Sequence, residues 1–254
     1  MASLLRFALL LFLASAARAE WAVTSSETER STVAGVEHRR IVVTESETGE
    51  EAKLDLALFA TKSATLRVID NPTGADDLAA VMRRTRGVAG VNGGYFDPQD
   101  APLGLLISDG KLIAPLRKAR LLSGMLVVTK GRVELLRYAE YAARKTVTAA
   151  LQCGPFLVDG GRAVPGLNDT RSARRTFILT RGADRAALGF CSSVTLAELG
   201  EILATPRIVP DRTLQRALNL DGGSSSAFWF NGESGPFSIR ELKTVRNFVV
   251  VVPK

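Results

Sequence analysis

The sequence contains one histidine and two cysteines among its 254 residues. A Ser-His-Asp or Cys-His nucleophilic system needs a histidine beside the nucleophile, and a zinc site needs several His or Cys ligands. The single histidine lies in the charged segment His38-Arg39-Arg40, far along the chain from the glycine-rich segments. We therefore predict that His38 is an exposed strand residue and that the active site holds no metal ligand set of this kind.

Nucleotide-binding loops are also missing, because no G-x-x-x-x-G-K-[ST] or G-x-G-x-x-G pattern occurs. The chemical groups that remain are carboxylates, arginines, amides, hydroxyls and backbone N–H groups. We expect no cofactor. Paired carboxylates leave a divalent cation such as calcium open, since oxygen ligands suit that ion.

No apolar run reaches the roughly 18 residues that a membrane-spanning helix needs. The chain does begin with Arg6, a short apolar run at 7–13 and the triplet Ala17-Arg18-Ala19, which together are typical of a cleaved signal peptide. We predict a signal peptide at 1–19, a secreted or periplasmic mature chain, and no stable membrane insertion. In that compartment Cys153 and Cys191 could pair or remain two buried thiols, and both readings stay open.

Positive charge exceeds negative charge, with 33 Lys and Arg against 26 Asp and Glu, a net charge of +7. Cleavage after Ala19 would remove Arg6 and Arg18 and leave 31 against 26, or +5. The excess is spread along the chain without a block of basic residues, which argues against a nucleic-acid partner. It suits an anionic partner, such as a sugar phosphate or an anionic polysaccharide.

Repeated hairpin patterns dominate the rest of the chain. Turn residues such as Asp109-Gly110, Lys130-Gly131 and Asp159-Gly160 follow short apolar strands. A helix is predicted at 76–84, and a capping box at Thr195 and Glu198 predicts a second helix to about Ala204. We predict a solvated lead-in at 20–35 and a single α+β domain at 36–254, with mainly antiparallel or mixed sheets and a few packed helices.

Three segments at predicted strand ends carry candidate chemistry. In the first, an apolar strand delivers Asp221, followed by Gly222, Gly223 and Ser224. Glycines allow positive φ and close approach of a ligand, and successive N–H groups in such a turn can bind an anion. An ordinary hairpin turn has the same sequence, so this segment alone does not decide between turn and site.

The second segment, Asn92-Gly93-Gly94-Tyr95-Phe96, also places an amide and two glycines after an apolar strand, and adds two aromatic residues. An amide pairs with sugar hydroxyls and an aromatic ring covers an apolar sugar face. The third, Arg174-Arg175-Thr176, places an arginine at a strand mouth, where bidentate contact with phosphate is possible. Arg246, before the last apolar strand, invites the same interpretation, although most such arginines are simply solvated.

Taken together and in this order, five segments resemble the phosphodiester glycosidase family. They are Val91 to Phe96, Gly154 to Gly160, Arg175-Thr176, Leu218 to Ser225 and Val245 to Val249. The resemblance spans about residues 88 to 253. It implies hydrolysis of the bond between a sugar's anomeric carbon and a phosphate oxygen.

The resemblance also implies which residues form the site. Predicted catalytic residues are Asp221, Arg175, Asn92 and Asp159, and predicted substrate-binding residues are Gly93, Tyr95, Thr176, Gly222, Gly223, Ser224 and Arg246. We assign Asp221 as nucleophile or base, Arg175 to the phosphate and Asn92 to sugar hydroxyls. Asp159 is either a second carboxylate or a turn residue.

Two alternatives remain beside a secreted glycosidase of envelope or extracellular polysaccharide metabolism. One is a non-catalytic module that binds anionic envelope polysaccharide with the same fold. The other is a phosphodiesterase that cuts the phosphorus–oxygen bond.

Overall fold

The computed structural model describes residues 20–143, 146–209 and 214–254. Within them the chain forms mostly β-strands with two short α-helices, α1 (Leu78–Thr85) and α2 (Leu196–Ala204). The strands, numbered in chain order, are β1 Trp21–Arg30, β2 Val36–Glu45, β3 Glu51–Ala60, β4 Ala64–Asp70, β5 Ala89–Asn92, β6 Leu106–Ser108, β7 Lys111–Ala114, β8 Gly124–Thr129, β9 Arg132–Arg137, β10 Val147–Cys153, β11 Phe156–Asp159, β12 Arg162–Ala163, β13 Ala173–Thr180, β14 Arg185–Val194, β15 Arg216–Asn219, β16 Phe228–Gly232, β17 Gly235–Ile239 and β18 Asn247–Pro253.

These strands form three sheets in one domain. The largest has eight strands in the order β1-β2-β3-β14-β13-β15-β11-β12, and two five-stranded sheets have the orders β7-β6-β10-β8-β9 and β17-β16-β5-β18-β4. Every strand pair in the described part of the chain is antiparallel. The prediction of antiparallel sheets is thus confirmed, whereas the α+β label fits loosely because helices contribute little.

Both faces of the large sheet are buried. On β3, the predicted apolar face of Leu54, Leu56 and Leu58 packs into one core cluster, which α2 also covers. Ala57 and Phe59, on the other face of the same strand, pack into a second cluster shared with the two smaller sheets. Period-two alternation places these residues on opposite faces, so a central strand reads as an almost continuous apolar run.

The helices follow their predicted boundaries closely. The Asp77 side chain accepts a hydrogen bond from the Ala80 N–H (2.7 Å) and caps α1. Thr195 and Glu198 form the predicted capping box at the start of α2, which ends at Ala204. No helix among the described residues is long and apolar enough to cross a membrane. The predicted signal peptide, 1–19, lies outside the described residues.

The first strand was not predicted. Most of the segment predicted as a solvated lead-in is β1, whose backbone pairs with β2 from Trp21 to Arg30. Its side chains are mainly exposed because β1 is an edge strand, so its polar composition gives no alternating apolar pattern. Trp21 alone is buried at its start.

The prediction that His38 is exposed is wrong. Its side chain is fully buried, its Nε2 lies 2.8 Å from Asp55 Oδ1, and three phenylalanine rings surround it at centroid distances of 5.0 to 5.2 Å. The adjacent charges of Arg39 and Arg40 suggested a solvated strand, but β2 alternates between buried and partly exposed positions and His38 lies on the buried face. His38 therefore belongs to the core and does not contact the candidate site residues.

Cys153 and Cys191 are both free thiols. They lie in different core clusters, Cys153 with β10 and Cys191 with β14. Burial raises the pKa of each thiol to about 12, so both are inert apolar residues rather than nucleophiles.

Candidate active site

Several strand ends meet at one edge of the fold. β5, β10 and β15 end there, and β13 and β18 begin there, because neighbouring strands run antiparallel. The Asp221 N–H donates to the Gly93 carbonyl (3.0 Å), and the Gly93 N–H donates to the Asn247 carbonyl (2.8 Å). The segments after β5 and β15 are therefore locked to the start of β18.

The main chain at Asp221 is held by two side chains. Its carbonyl accepts hydrogen bonds from Asn92 Nδ2 and from Thr176 Oγ1, each at 2.7 Å. Asn92 Oδ1 also accepts from the Ala227 N–H (3.1 Å), at the far end of the same turn. The structure thus brings Asn92, Thr176 and Asp221 together, as the ordered motifs predicted.

This arrangement changes the predicted role of Asn92. Asn92 and Thr176 are both completely buried, and both polar atoms of Asn92 are used within the protein. An amide without exposed atoms does not reach a sugar hydroxyl. We therefore assign Asn92 and Thr176 to positioning Asp221, not to contact with a ligand.

The Asp221 side chain is partly buried, and burial raises the pKa of its carboxyl above the ordinary value. The Ser225 hydroxyl, the Lys243 ammonium group and the Gly222 N–H, which lies 3.0 Å from Oδ1, act in the opposite direction. The Lys243 ammonium group also lies 4.8 Å from the centroid of the Phe96 ring. A partly desolvated carboxyl close to a cation is a common environment for a catalytic base or nucleophile.

Arg175 is the second charged group of the site and is nearly fully buried. Its Nε donates to the Val194 carbonyl (2.9 Å) and its Nη2 to the Arg171 carbonyl (2.5 Å). Within the described chain it has no ion pair with a carboxylate, and burial lowers its pKa. Its Nη1 lies 3.7 Å from the position a Cβ would take at Gly222, which places the guanidinium against the Asp221 turn.

Such an arginine is suited to bind an anion. Its orientation is fixed by two backbone carbonyls, and in the described structure no carboxylate forms an ion pair with it. A phosphate with two free oxygens would supply the missing negative charge and pair with the planar guanidinium.

Tyr95 lies beneath the Asp221 turn. Its hydroxyl donates to the Gly154 carbonyl (2.6 Å) and accepts from Asn219 Nδ2 (3.0 Å), and burial raises its pKa. The ring packs against the core cluster that includes Cys153. Because the hydroxyl is directed inward and only part of the ring is exposed, Tyr95 supports the floor of the site and offers a ligand a limited surface.

Two glycines in these segments have a structural requirement. A Cβ at Gly93 would overlap Asn247 Oδ1, which accepts the Gly94 N–H bond (2.8 Å). Gly223 has φ +65°, and no atom lies within 4 Å of the position its Cβ would take. The Asp221 turn is therefore open at Gly223, whereas a Cβ at Gly222 would lie 3.1 Å from the Arg174 carbonyl.

Two buried amide atoms at the site have no hydrogen-bond partner among the described residues: Asn219 Oδ1 and Asn247 Nδ2. An unpaired buried polar atom costs about 1–3 kcal/mol, so a buried water that pairs with it is favoured. Both asparagines lie within the family segments, but the sequence pattern predicts no role for either. Lys243 was missed altogether, since an isolated lysine in a loop has no distinguishing pattern.

Asp159 does not belong to this site, which corrects its assignment as catalytic. Its carboxylate accepts hydrogen bonds from Arg137 Nε (2.8 Å) and Arg216 Nε (2.9 Å). Its register partner Arg216 precedes Asp221 by five residues, or roughly 16 Å of extended chain. Paired carboxylates in glycosidases are about 5–9.5 Å apart, so Asp159 is not the second carboxylate.

Asp159 instead lines a separate cavity of about 410 Å³ that contains none of Asn92, Arg175 and Asp221. Burial raises the pKa of its carboxyl, but the two arginines outweigh burial and the pKa lies below the ordinary value. It is a turn residue with an ion-pair network.

Arg246 is also misassigned as a substrate-binding residue. Its Nε and Nη2 donate to the two carboxylate oxygens of Asp70 (3.0 and 3.1 Å), and its side chain is only 11% exposed. The Asp70 pair neutralises the charge that a phosphate would need. Arg246 therefore fixes the junction of β4 and β18 next to Asn247.

In the described part of the chain, no group of three or more His, Cys, Asp and Glu residues could hold a metal ion. The site as described therefore consists of one carboxyl, one arginine without an ion pair, a nearby lysine, two amides that each have one atom without a hydrogen-bond partner, and a glycine turn.

Comparisons with known proteins agree with the family resemblance. The model of the phosphodiester glycosidase family matches residues 85–252. The catalytic domain of zebrafish N-acetylglucosamine-1-phosphodiester α-N-acetylglucosaminidase, auto-inhibited by its pro-peptide, has a similar fold with a TM-score of 0.65 and 15% sequence identity, over 91% of this chain and 89% of that one.

A hypothetical protein from Synechocystis is also similar, with a TM-score of 0.59 and 16% identity. The match covers 87% of this chain but 62% of the Synechocystis chain. At these identities the likeness shows the fold alone. No curated protein matches the sequence.

Proposed function

Because the chain belongs to the phosphodiester glycosidase family, we propose that it hydrolyses the bond between a sugar's anomeric carbon and a phosphate oxygen. The single observation that carries this proposal is the position of two groups at the same turn: Asp221, a carboxyl with a raised pKa, and Arg175, a buried guanidinium without an ion pair to a described carboxylate. The two groups border the same open glycine turn.

Asp221 acts in this proposal as nucleophile or base. As a base, its carboxylate takes a proton from water while the water oxygen bonds to the anomeric carbon. The carbon–oxygen bond to phosphate then breaks, and the bonding electrons leave with the phosphomonoester. As a nucleophile, the carboxylate would bond to the anomeric carbon first, and water would release the sugar in a second step.

Arg175 and Lys243 act on the phosphate side. A glycosidase that expels an alcohol needs a carboxylic acid to protonate the leaving oxygen. A phosphate is a much weaker base, so charge stabilisation replaces most of that assistance. This accounts for a site with one carboxyl and two cations, since Asp159 is bound elsewhere.

Asn219 and Asn247 support the site from within the core. Asn219 Oδ1 and Asn247 Nδ2 have no partner in the described structure, but both side chains are buried, so neither atom reaches a sugar hydroxyl, for the same reason that excludes Asn92.

The cellular setting belongs to the same proposal. The signal-peptide features at 1–19 and the excess of basic residues support a secreted or periplasmic enzyme. Its substrates would be sugar phosphates or anionic polysaccharides of the envelope or extracellular matrix, with no nucleic-acid partner. Sequencing the N-terminus of the exported protein tests cleavage after Ala19.

Hydrolysis in ¹⁸O-labelled water tests the reaction. The protein is incubated with a panel of sugar-1-phosphodiesters, including the N-acetylglucosamine-1-phosphodiester named for the zebrafish enzyme. We expect the label on the anomeric oxygen of the released sugar and none on the phosphomonoester. Label on phosphate would identify a phosphodiesterase instead, and binding without any product would identify a polysaccharide-binding module.

A further inference from the structure

Exposed leucines are concentrated near the candidate site. The described chain has five exposed large apolar residues: Leu103, Leu112, Leu116, Leu121 and Leu242. Single exposed leucines are normal on a protein surface. Four of these five, however, lie on segments that are hydrogen-bonded to the strand ends that form the site. Among the described residues only Leu112, on β7, lies elsewhere.

Two of the leucines are held in place by backbone hydrogen bonds to residues of the site. The Leu242 N–H donates to the Ser224 carbonyl (2.7 Å), within the Asp221 turn, and Leu242 is 73% exposed. The Leu103 N–H donates to the Tyr95 carbonyl (2.9 Å). Both therefore extend from residues that border the site.

Leu116 and Leu121 belong to the loop 115–123, which we call the rim loop. Gln152, next to Cys153 at the end of β10, holds this loop. Its Oε1 accepts the Arg117 N–H (3.1 Å), and its Nε2 donates to the carbonyls of Arg117 (2.6 Å) and Leu122 (3.0 Å). A loop anchored this way keeps its exposed leucines in place, so their exposure is a feature of the fold.

The rim loop is also basic. It carries Arg117, Lys118 and Arg120 and contains no acidic residue. All three cations are exposed, and none forms an ion pair with a described residue. Two acids near this end accept hydrogen bonds from the backbone: Asp97 accepts the Ala101 N–H (2.8 Å), and Glu241 accepts the Leu78 N–H (2.8 Å). Asp100, three residues before Leu103, is exposed.

We propose that the rim loop, with Leu103 and Leu242, docks the protein on the surface of an anionic lipid bilayer, so that the site meets a sugar–phosphate headgroup there. The inference rests on the proposed function for the identity of that headgroup. Leucines that enter the acyl boundary gain apolar burial, and cations beside them gain attraction to lipid phosphates. A hydrated polysaccharide alone would leave the leucines in water.

Vesicle flotation tests the docking. The purified protein is mixed with vesicles of phosphatidylglycerol and phosphatidylcholine, or of phosphatidylcholine alone. We expect binding to the anionic vesicles only, with weaker binding at high salt. The double variant Leu116→Ser, Leu121→Ser and the triple variant Arg117→Gln, Lys118→Gln, Arg120→Gln should each bind the anionic vesicles at least about tenfold more weakly.

Matched controls come from β7. Leu112→Ser removes an exposed leucine, and Lys111→Gln removes an exposed cation, outside the rim. Each should change vesicle binding by less than about twofold. Because the altered side chains are exposed, circular dichroism should show unchanged folding for every variant.

Three results would overturn the docking proposal: no flotation of the wild-type protein, equal losses in the β7 controls, or a dimer seen by light scattering that the rim variants dissociate. The last would assign the rim to a second copy of the chain. Flotation needs no turnover, so its failure leaves the hydrolysis proposal intact. Conversely, an Asp221→Asn protein that still floats would separate docking from chemistry.

Discussion

Two turns of identical composition lie at the ends of neighbouring strands and have different surroundings. Asp159-Gly160-Gly161 follows β11, and Asp221-Gly222-Gly223 follows β15. Because β11 and β15 pair antiparallel, their carboxyl ends point in opposite directions, and the two turns lie at opposite ends of the strands. Two arginines neutralise Asp159 and lower its pKa, whereas burial raises the pKa of Asp221. The direction of each strand and the residues around its turn, not the turn sequence, decide which carboxyl is available for chemistry.

The largest contrast is expected in turnover. Asp221→Asn should lower hydrolysis of a sugar-1-phosphodiester at least about a thousandfold, because the amide is neither a base nor a nucleophile. Asp159→Asn should stay within about threefold of wild type in turnover and lose about 1 kcal/mol of stability, since its ion pairs are partly exposed. Steady-state rates and urea unfolding measure the two effects. If both variants lost turnover equally, the claim that only the Asp221 turn is catalytic would be wrong.

The support of Asp221 is expected to matter next. Thr176→Val removes the Oγ1 donor to the Asp221 carbonyl and should cost about 1–2 kcal/mol of stability and roughly tenfold in kcat. Thr180→Val is the matched control, because Thr180 is also buried on β13 and lines the Asp159 cavity instead. If Thr180→Val lowered kcat as much as Thr176→Val, the effect would belong to β13 in general and not to the turn.

A glycine in each turn gives a closer comparison. Gly160 and Gly223 both have positive φ, +59° and +65°, and neither has an atom within 4 Å of its Cβ position. Alanine at either position should therefore cost about 1 kcal/mol of stability through backbone strain alone. Only Gly223→Ala should also raise KM, because its methyl group enters the open space at the Asp221 turn. A higher KM in Gly160→Ala would indicate that the Asp159 turn also contacts the ligand.

The smallest expected effect is on pH dependence. Lys243 lowers the pKa of Asp221, so Lys243→Met should raise that pKa further. Because the reaction needs the carboxylate, the acidic limb of kcat/KM should move to higher pH, by less than about one unit since Lys243 is exposed. Lys111→Met is the control and should leave the limb in place. A shift to lower pH would contradict the assigned charge of Asp221.

Much of the fold could be predicted because its determinants are local. Glycine turns at 109–110 and 130–131 delimit hairpins, and Thr195 with Glu198 starts α2 as a capping box. β1 was missed because an exposed edge strand pairs through its backbone and needs no apolar pattern. His38 was misplaced for the opposite reason, since its burial depends on phenylalanines of β16 and β17 that lie far along the sequence.

The family segments predicted part of the candidate site correctly. Asn92, Arg175, Thr176 and Asp221 do converge. Asp159 and Arg246 failed because their charges are neutralised by distant residues, as in the pairing of Arg246 with Asp70 across 176 positions. No local pattern reveals such a partner. Lys243 was missed because only the packing of its loop against Ser224 brings it near Asp221.

The most direct test of the account is a carboxyl titration of Asp159 and Asp221 in one sample by nuclear magnetic resonance, with single Asn variants for assignment. The sign of each shift also fixes its linkage to folding: Asp221 contributes stability below its ordinary pKa and loses it as pH rises through the raised value. Asp159 contributes stability above its ordinary pKa and loses it as pH falls through the lowered value. We predict a pKa above 3.8 for Asp221 and below 3.8 for Asp159. Equal values, or the reverse order, would contradict the claim that surroundings make Asp221 the reactive carboxyl.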